Sequence, residues 1–415
     1  MTIGTPASPQ RTVLRDGSAD PERVTYVELF FDLVFAFAIA QIAGVLTDEP
    51  TFFTIAQAVV ITLAVWWVWV YTTWATNWLN PDARPVLWLL LALSATGLVI
   101  SETIPSAFEG RRYVFVGAYL IYAALRTLGV IAAVRRTAPA IAGGQYRILG
   151  WTAVAGVLWV GGCLVPEPPL RLTLWAAAII LEYLGPVTLF WVPGLGQSSW
   201  SAWRIRGGHF SERAALFIII VLGESILVIG TALASHELTL AVVAASLLAF
   251  GGAIVMWFLY FAHGQDRGHE FISQRAQTGP VARLSYTYLH VLLVIGLVAT
   301  THGAHLSLEK PLAVPDLPVT ALVYLGPAVY LLGLFAFKRS IGIPPSWIPS
   351  HLAGVVALAL LFALAAARVL DGPLLLQCGV AAAVLVLVVT GDEILWKRRA
   401  LHAIPAQVNE HGAAQ

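Results

Sequence analysis

The chain has 415 residues, of which 58% are hydrophobic and 11% are charged, with a formal net charge of +1. Soluble domains usually carry about 25% charged residues, so this chain has too little charge to cover the surface of a soluble protein. The same composition excludes disordered, coiled-coil, collagen-like and disulfide-rich classes, and the balanced charge leaves no basic face for nucleic acid. The sequence therefore predicts an integral membrane protein.

Apolar runs of about 20 residues, long enough to cross a bilayer as a helix, follow one another along the chain. Proline and glycine residues separate them. The runs predict twelve helices, at residues 26–46, 53–75, 85–102, 112–134, 148–165, 171–192, 212–234, 240–262, 282–302, 318–337, 351–369 and 373–395. The predicted fold class is an all-α integral membrane protein with about twelve transmembrane helices.

The predicted domain organisation is a transmembrane domain at residues 26–395 between two polar tails. Residues 1–25 and 396–415 are expected to be disordered cytoplasmic tails. The transmembrane domain divides into halves at 26–192 and 212–395, and a Gly-Leu-Val triplet recurs at similar places in the third and ninth helices. Two parallel six-helix repeats are one interpretation; chance similarity between apolar sequences is the alternative.

The basic residues predict the orientation. With the N-terminus in the cytoplasm, the inner segments hold 18 Lys and Arg residues and the outer loops hold 5. Cytoplasmic loops of membrane proteins carry such an excess. We therefore expect a multi-pass protein of the cytoplasmic membrane with both termini inside.

Three ionisable residues lie at similar depths in their predicted helices. Asp32 is about 9 Å from the inner end of the first helix, Arg126 is about 12 Å into the fourth, and His290 lies comparably deep in the ninth. A charge in the hydrocarbon region is costly, so each marks a candidate functional position. An ion pair between Asp32 and Arg126 is expected, serving either transport or helix packing.

Three further acids lie in predicted helices, each with a structural alternative. Glu28 follows Thr25 by three residues, as in a helix-capping box. Glu182 precedes Pro186 by four residues, so a carboxyl group and a freed carbonyl lie at one depth; a simple proline kink is the alternative. Glu224, beside a glycine and a serine, suits either a pathway or a hydrogen bond between helices.

These acids outnumber the one deep arginine, which favours a cation or proton pathway over a purely structural role. The predicted pathway consists of Asp32, Glu182, Glu224, Glu28 and His290, with Arg126 as counter-charge.

Aromatic side chains follow one face of the second helix. Trp67, Tyr71 and Trp74 have helical spacing and extend deeper than an interfacial belt requires. They are expected either to pack and anchor the helix or to form the wall of a ligand cavity. No metal site and no cofactor are predicted, because the histidines and acids match no metal motif and nucleotide-binding and hydrolase motifs are missing.

The first helix carries the motif E-L-F-F-D-L-V-F at residues 28–35. Together with Glu212-Arg213 and L-G-E-S at 222–225, it resembles the bacterial low temperature requirement protein A family over nearly the whole chain. The resemblance implies a multi-pass protein of the cytoplasmic membrane whose family is named for a requirement during growth at low temperature.

A second, looser likeness concerns residues 30–36. Their sequence F-F-D-L-V-F-A is similar to the F-S-D-x-V-F-A motif that opens the first helix of a family of potassium-leak channels, with Phe31 in place of the serine. The seventh helix holds no second copy of the motif. The likeness implies a cation channel as an alternative function.

We predict a secondary transporter or proton-coupled permease of unspecified substrate. Two alternatives stay open: a potassium-like cation channel, and a non-transport membrane factor or lipid-modifying enzyme linked to growth at low temperature. An enzyme is the less favoured class. The expected partners are the lipid bilayer and a small ion or small molecule, with no nucleic acid; no oligomeric state is predicted.

Overall fold

The structure is a computed structural model that describes residues 12–15, 23–46, 49–199, 206–235, 237–262, 264–274 and 278–412. These residues form fourteen α-helices: α1 (Tyr26–Leu46), α2 (Phe52–Trp78), α3 (Arg84–Thr103), α4 (Arg112–Val134), α5 (Pro139–Leu164), α6 (Pro168–Val187), α7 (Gly207–Ser235), α8 (Leu240–Phe261), α9 (Gln265–Ser273), α10 (Gly279–Val281), α11 (His290–Glu309), α12 (Leu317–Ser340), α13 (Pro349–Ala366) and α14 (Leu374–Gly412). A π-helical segment at Ala282–Leu289 connects α10 to α11.

Within the described residues, twelve segments are long and apolar enough to cross a membrane. Two of these segments combine helices: α8 with α9 in Leu240–Ser273, and α10 with α11 in Gly279–Glu309. The described residues contain two isolated β-bridges and no sheet. The predicted all-α fold with about twelve transmembrane helices is confirmed, and the chain is a multi-pass membrane protein.

Several helix ends differ from the predicted ones; α5, for example, begins at Pro139 instead of residue 148. α7 begins at Gly207 instead of residue 212, and α14 continues to Gly412, through most of the predicted C-terminal tail. Residues 1–11 and 16–22 of the predicted N-terminal tail, and 413–415 of the C-terminal one, lie outside the described residues. Residues 12–15 pack against the end of α2, where Leu14 and Leu79 form a β-bridge.

The chain divides into two compact units. The first unit comprises Met1–Val45, Ala56–Phe217 and Arg275–Arg283, and the second comprises Leu46–Ile55, Ile218–Gln274 and Leu284–Gln415. In the first unit, α3, α4, α5 and α6 pack in sequence order; in the second, α11, α12, α13 and α14 do so, with α8 against α11 and α14. The repeat interpretation stays a prediction.

Aromatic side chains fill the interior of the first unit where α5 and α6 meet. Trp159 and Trp175 are fully buried, and the Trp175 indole N–H donates to the Trp159 carbonyl at 3.0 Å. Gly162 leaves room for the Trp175 ring, which a Cβ at that position would strike. This packing fixes the face of α5 that carries a hydrogen-bond donor of the candidate site.

Glycines bring α11 and α12 together in the second unit. A Cβ on Gly296 would lie 2.5 Å from the backbone nitrogen of Tyr330, and one on Gly326 would lie 2.9 Å from that of Thr300. Small residues let helix backbones approach closely inside a membrane. Since backbone atoms cannot swing aside as a flexible side chain can, these glycines fix the spacing of the two helices.

Candidate functional site

Four ionisable side chains from α1 and α7 meet inside the first unit. Glu28 and Asp32 come from α1, His209 and Arg213 come from α7, and all four are fully buried. Residues four apart share a helix face, so each helix contributes two neighbouring side chains. We call these four residues the α1–α7 cluster.

Arg213 contacts both acids of the cluster. Its Nη2 forms an ion pair with Asp32 Oδ1, while its Nη1 lies 3.6 Å from Glu28 Oε1 and donates to Thr76 Oγ1 at 3.0 Å. The indole N–H of Trp69 also donates to Asp32 Oδ1, at 2.7 Å. The second oxygen, Asp32 Oδ2, is buried and lacks a hydrogen-bond partner among the described residues. One oxygen of this carboxylate therefore has two hydrogen-bond donors, and the other oxygen is available to accept a hydrogen bond or a proton.

Glu28 caps α1 and belongs to the cluster at the same time. Its Oε2 accepts hydrogen bonds from the backbone N–H and the hydroxyl of Thr25, at 3.0 and 2.9 Å, which is the capping arrangement. His209 Nε2 lies 3.1 Å from Glu28 Oε1. Arg15 Nη2 lies 3.4 Å from Oε2. The capping function of Glu28 therefore coexists with buried ion pairs.

The formal charges of the α1–α7 cluster and Arg15 balance. Two carboxylates, Glu28 and Asp32, face two guanidinium groups, Arg15 and Arg213, and His209 is neutral in this balance. The excess of deep acids expected from the sequence is therefore absent here, because two arginines that resemble loop residues in the sequence are buried beside the acids.

The expected ion pair between Asp32 and Arg126 is wrong, since Arg213 is the cation on Asp32. In the sequence, the apolar run of the seventh helix starts at residue 212. Arg213 therefore lies at the edge of this run, next to the preceding loop. Because α7 begins at Gly207, it carries His209 and Arg213 inside the unit. The signal in the sequence is the four-residue spacing of these two side chains, which matches that of the two acids on α1.

A small pocket of the first unit lies among residues of α2, α4, α5 and α6. Its lining includes Trp67, Tyr71, Arg126 and Glu182. Glu182 is buried; its Oε2 accepts from the Tyr119 hydroxyl at 2.6 Å, and its Oε1 accepts from the Trp159 indole at 3.1 Å. Two of the predicted site residues, the acid and the counter-charge, thus line one pocket with two of the predicted aromatic residues. We call it the Arg126–Glu182 pocket.

The third predicted aromatic residue lies elsewhere. Trp74 is not among the residues lining the pocket; its ring packs edge-on against Phe210, with 5.2 Å between the ring centroids. Trp67 stacks on Tyr183 at 4.1 Å. The aromatic face of α2 therefore packs against α7 at one end and lines a pocket further along, and its role in ligand binding stays a prediction.

The other two predicted pathway residues belong to the second unit. His290 accepts or donates hydrogen bonds at both ring nitrogens, with the Tyr260 hydroxyl at 2.9 Å and the Ser285 carbonyl at 2.7 Å. Glu224 is half-buried and forms no hydrogen bond or ion pair within the described part of the chain, while its neighbour Ser225 bonds to Thr301 at 2.7 Å. The predicted pathway residues thus divide among separate sites.

The second unit also contains a cavity of about 70 Å³, larger than the Arg126–Glu182 pocket. Residues of α7, α8, α11, α12 and α14 line it, and they are mainly apolar. Its polar lining includes Ser225, Thr301 and His305, and no Lys, Arg, Asp or Glu is among the described lining residues. This cavity therefore lacks the charge expected of an ion-binding site.

A second buried charged group, missed by the sequence reasoning, joins α12, α13 and α14. Lys338 Nζ lies 3.5 Å from Asp392 Oδ2, and His351 Nδ1 lies 3.5 Å from Asp392 Oδ1. The Ser350 hydroxyl also donates to Asp392 Oδ1. These ionisable side chains are almost completely buried. An acid, a base and a histidine thus meet in this unit as well.

Comparison with known proteins assigns the chain to a family. The bacterial low temperature requirement A protein family (LtrA) matches residues 23–390, which include the whole α1–α7 cluster and the Arg126–Glu182 pocket. An uncharacterized protein of Rhizobium meliloti (strain 1021) is 35% identical over 326 residues, covering 79% of this chain and 80% of that protein. No solved structure matches the chain. The chain belongs to the bacterial low temperature requirement A protein family.

Proposed function

We propose that this membrane protein is a secondary transporter whose substrate movement is coupled to protons, with the α1–α7 cluster as a proton-binding centre. The observation that carries the proposal is the Asp32 carboxylate. It is fully buried in the first span, with one oxygen held by Arg213 and Trp69 and the other without a hydrogen-bond partner among the described residues. A group of this kind can accept a proton.

Protonation would change the forces between α1 and α7. The cluster with Arg15 has balanced charge, so one added proton leaves an uncompensated positive charge in a dry interior, where unpaired charges are costly. A proton on Asp32 weakens its attraction to Arg213, and one on His209 repels Arg213 and Arg15. Either event favours a different arrangement of the two helices, which is the requirement for coupling a proton to a conformational change.

A carrier is favoured over a cation channel by the position of Arg213. The aspartate of the motif shared with potassium-leak channels is Asp32, and its oxygen is paired with the Arg213 guanidinium. A permanently charged group at this point opposes the passage of cations along α1. The channel is therefore the second candidate function, supported by the motif alone.

We further propose that the protein lies in the cytoplasmic membrane with both termini in the cytoplasm. The 18-to-5 distribution of basic residues supports this orientation. Burial of Arg15, Arg213 and Lys338 removes three residues from the inner count and leaves the sign of the bias unchanged. A reporter enzyme that is active only outside the cytoplasm, fused after Gln415, tests it: an active fusion would refute the orientation.

The transport proposal is tested with purified full-length protein in liposomes that contain a pH-sensitive dye. Sodium chloride, sodium acetate, glycine and glucose are presented one at a time as outward or inward gradients. We expect a solute-driven change of internal pH that Asp32→Asn reduces at least tenfold and that Glu102→Gln, at an exposed acid, leaves unchanged. A solute-driven signal that Asp32→Asn retains in full would refute the proposed centre. A potassium-selective, proton-independent current would favour the channel.

A further inference from the structure

Three arginines in the described helices of the first unit, Arg171, Arg213 and Arg126, are buried, and their partners differ. Arg171 donates to the backbone carbonyls of Phe108, Gly162, Val165 and Pro166. Its donors serve to tie loops and helix ends together, so its role is structural. It needs no further partner.

The second of these arginines, Arg213, is neutralised by acids. It pairs with Asp32 and Glu28 and donates a further hydrogen bond to Thr76. Its charge is therefore matched by acids inside the protein, and of its donor atoms only Nε lacks a hydrogen-bond partner within the described residues.

The third arginine has neither a set of backbone carbonyls nor an acid as its partner. Arg126 is 4% exposed; its polar contact within the described residues is the Thr127 hydroxyl at 3.4 Å, and its guanidinium lies 4.8 Å from the centroid of the Tyr71 ring. No carboxylate of the described residues lies within 4.0 Å of it. A guanidinium stays charged in proteins and carries five donors, so this charge is buried and incompletely matched.

The group that could balance Arg126 is held away from it. Glu182 lines the same pocket, but Tyr119 and Trp159 donate hydrogen bonds to its two oxygens. Trp159 is itself fixed by the Trp175 indole. The cation and the acid thus line one pocket without forming an ion pair within 4.0 Å.

We propose that the Arg126–Glu182 pocket binds a compact monovalent anion, and that each anion binds together with one proton on Glu182. The free volume is about 10 Å³, close to the space that one water molecule needs, which suits a halide or a single carboxylate group. Arginine donors favour anions and form paired hydrogen bonds with carboxylates. Aromatic walls, including Trp67 and Tyr71, make the pocket less polar than water, and this strengthens the attraction between Arg126 and an anion.

The proton follows from the charge balance of the pocket. Arg126 and an ionised Glu182 sum to zero, so an added anion leaves one negative charge buried. A proton on the Glu182 carboxylate restores neutrality and removes the repulsion between two anionic groups. The inference rests on the proposed transport function only where it concerns movement; binding of the anion and proton is independent of it.

Binding is measured on the purified full-length protein by calorimetric titration with sodium bromide and with sodium acetate. Sodium gluconate keeps the ionic strength constant, and buffers of different ionisation enthalpy report the proton uptake. We expect one proton taken up per anion bound. Bromide and acetate distinguish a halide from a carboxylate as the preferred anion.

Three variants of the pocket and one surface control test the assignment of residues. Arg126→Gln should weaken anion binding by about 10- to 100-fold, since it removes charged hydrogen bonds, and the surface variant Arg111→Gln should not change it. Glu182→Gln, which resembles the protonated acid, should keep anion binding and abolish proton uptake. If Arg126→Gln fails to fold, Arg126→Lys keeps the charge, loses the paired donors and should weaken acetate more than bromide.

Some outcomes would overturn the inference. Wild-type affinity in folded Arg126→Gln would refute the site, and proton uptake that persists in Glu182→Gln would refute the coupling. Glycine that binds competitively without proton uptake would replace the anion by a zwitterion. Proton and anion binding without flux in liposomes would refute the transport function and leave the anion site intact. Proton-coupled flux that Arg126→Gln leaves unchanged would refute a role of the anion site in transport and leave the transport function intact.

Discussion

Replacement of Asp32 by Asn is expected to destabilise the protein mainly through the charge that it leaves behind. The variant removes the acid paired with Arg213 and leaves Arg213 and Arg15 facing the single charge of Glu28. Removal of one partner from a buried ion pair typically costs about 3–5 kcal/mol.

The structure also sets how much of this cost Glu28 can offset. Its Oε1 lies 3.6 Å from Arg213 Nη1, and at an effective dielectric constant of about 20 this separation gives an attraction of roughly 5 kcal/mol. The attraction between Glu28 and Arg213 is already present before the substitution, and Glu28 also pairs with Arg15 at 3.4 Å. Glu28 therefore cannot replace the attraction that Asp32 provided. The full loss is therefore expected.

The double variant Asp32→Asn with Arg213→Gln removes both charges and leaves Glu28 with Arg15. We expect each single variant to lose about 3–5 kcal/mol, and the double variant to lose less than the sum by at least about 2 kcal/mol. The measurement is the free energy of unfolding in mixed micelles, titrated with a denaturing detergent, for all four proteins of the cycle.

The exposed pair Glu102–Arg111 is the matched control, with 3.4 Å between its charged atoms. Its coupling energy should be below about 1 kcal/mol, since water screens exposed pairs. Additive losses for the buried pair, or a coupling no larger than that of the control, would refute the argument that Asp32 and Arg213 neutralise one another.

Two further predictions concern stability in the second unit and in α4. Gly296→Ala should lower the free energy of unfolding by about 1–3 kcal/mol, because its Cβ would lie 2.5 Å from the backbone nitrogen of Tyr330. The control Gly117→Ala has open space around its Cβ and should be neutral or slightly stabilising. Equal shifts of the melting temperature in the two variants would contradict this prediction. Lys338→Met should cost about 3–5 kcal/mol, because it removes the lysine counter-charge of the buried Asp392 carboxylate. Lys397→Met, in an exposed pair, should change the free energy of unfolding by no more than about 1 kcal/mol; equal costs in detergent titration would refute the distinction.

The transmembrane fold was predictable because the bilayer fixes the length of each helix. A run of about 20 apolar residues has few other interpretations, and the twelve predicted runs correspond to the twelve spans within the described residues. The ends were less predictable. The segment from Gly207 to Glu212 contains histidine, serine and glutamate, and hydropathy alone therefore begins the seventh run too late, although His209 is hydrogen-bonded inside the unit.

The acids of the candidate sites were also predictable, whereas their partners were not. Asp32 and Glu182 stand out because each interrupts a long apolar run. Arg213 and Lys338 lie close to helix ends, where a basic residue normally reaches water, so only the packing of distant helices identifies them as buried. Asp392 lies near the end of the last span, so its burial is not evident from the sequence for the same reason.

The pair formed by Asp32 and Arg213 constrains how the sequence can change over time. The two residues are 181 positions apart, yet a substitution at either one alone passes through a protein with an unmatched buried charge. Viable descendants must therefore keep both residues, exchange them or lose both in quick succession. Across the family, the identities at these two positions should vary together, and a lineage that has lost only one of them should carry a compensating change at Glu28, Arg15 or His209.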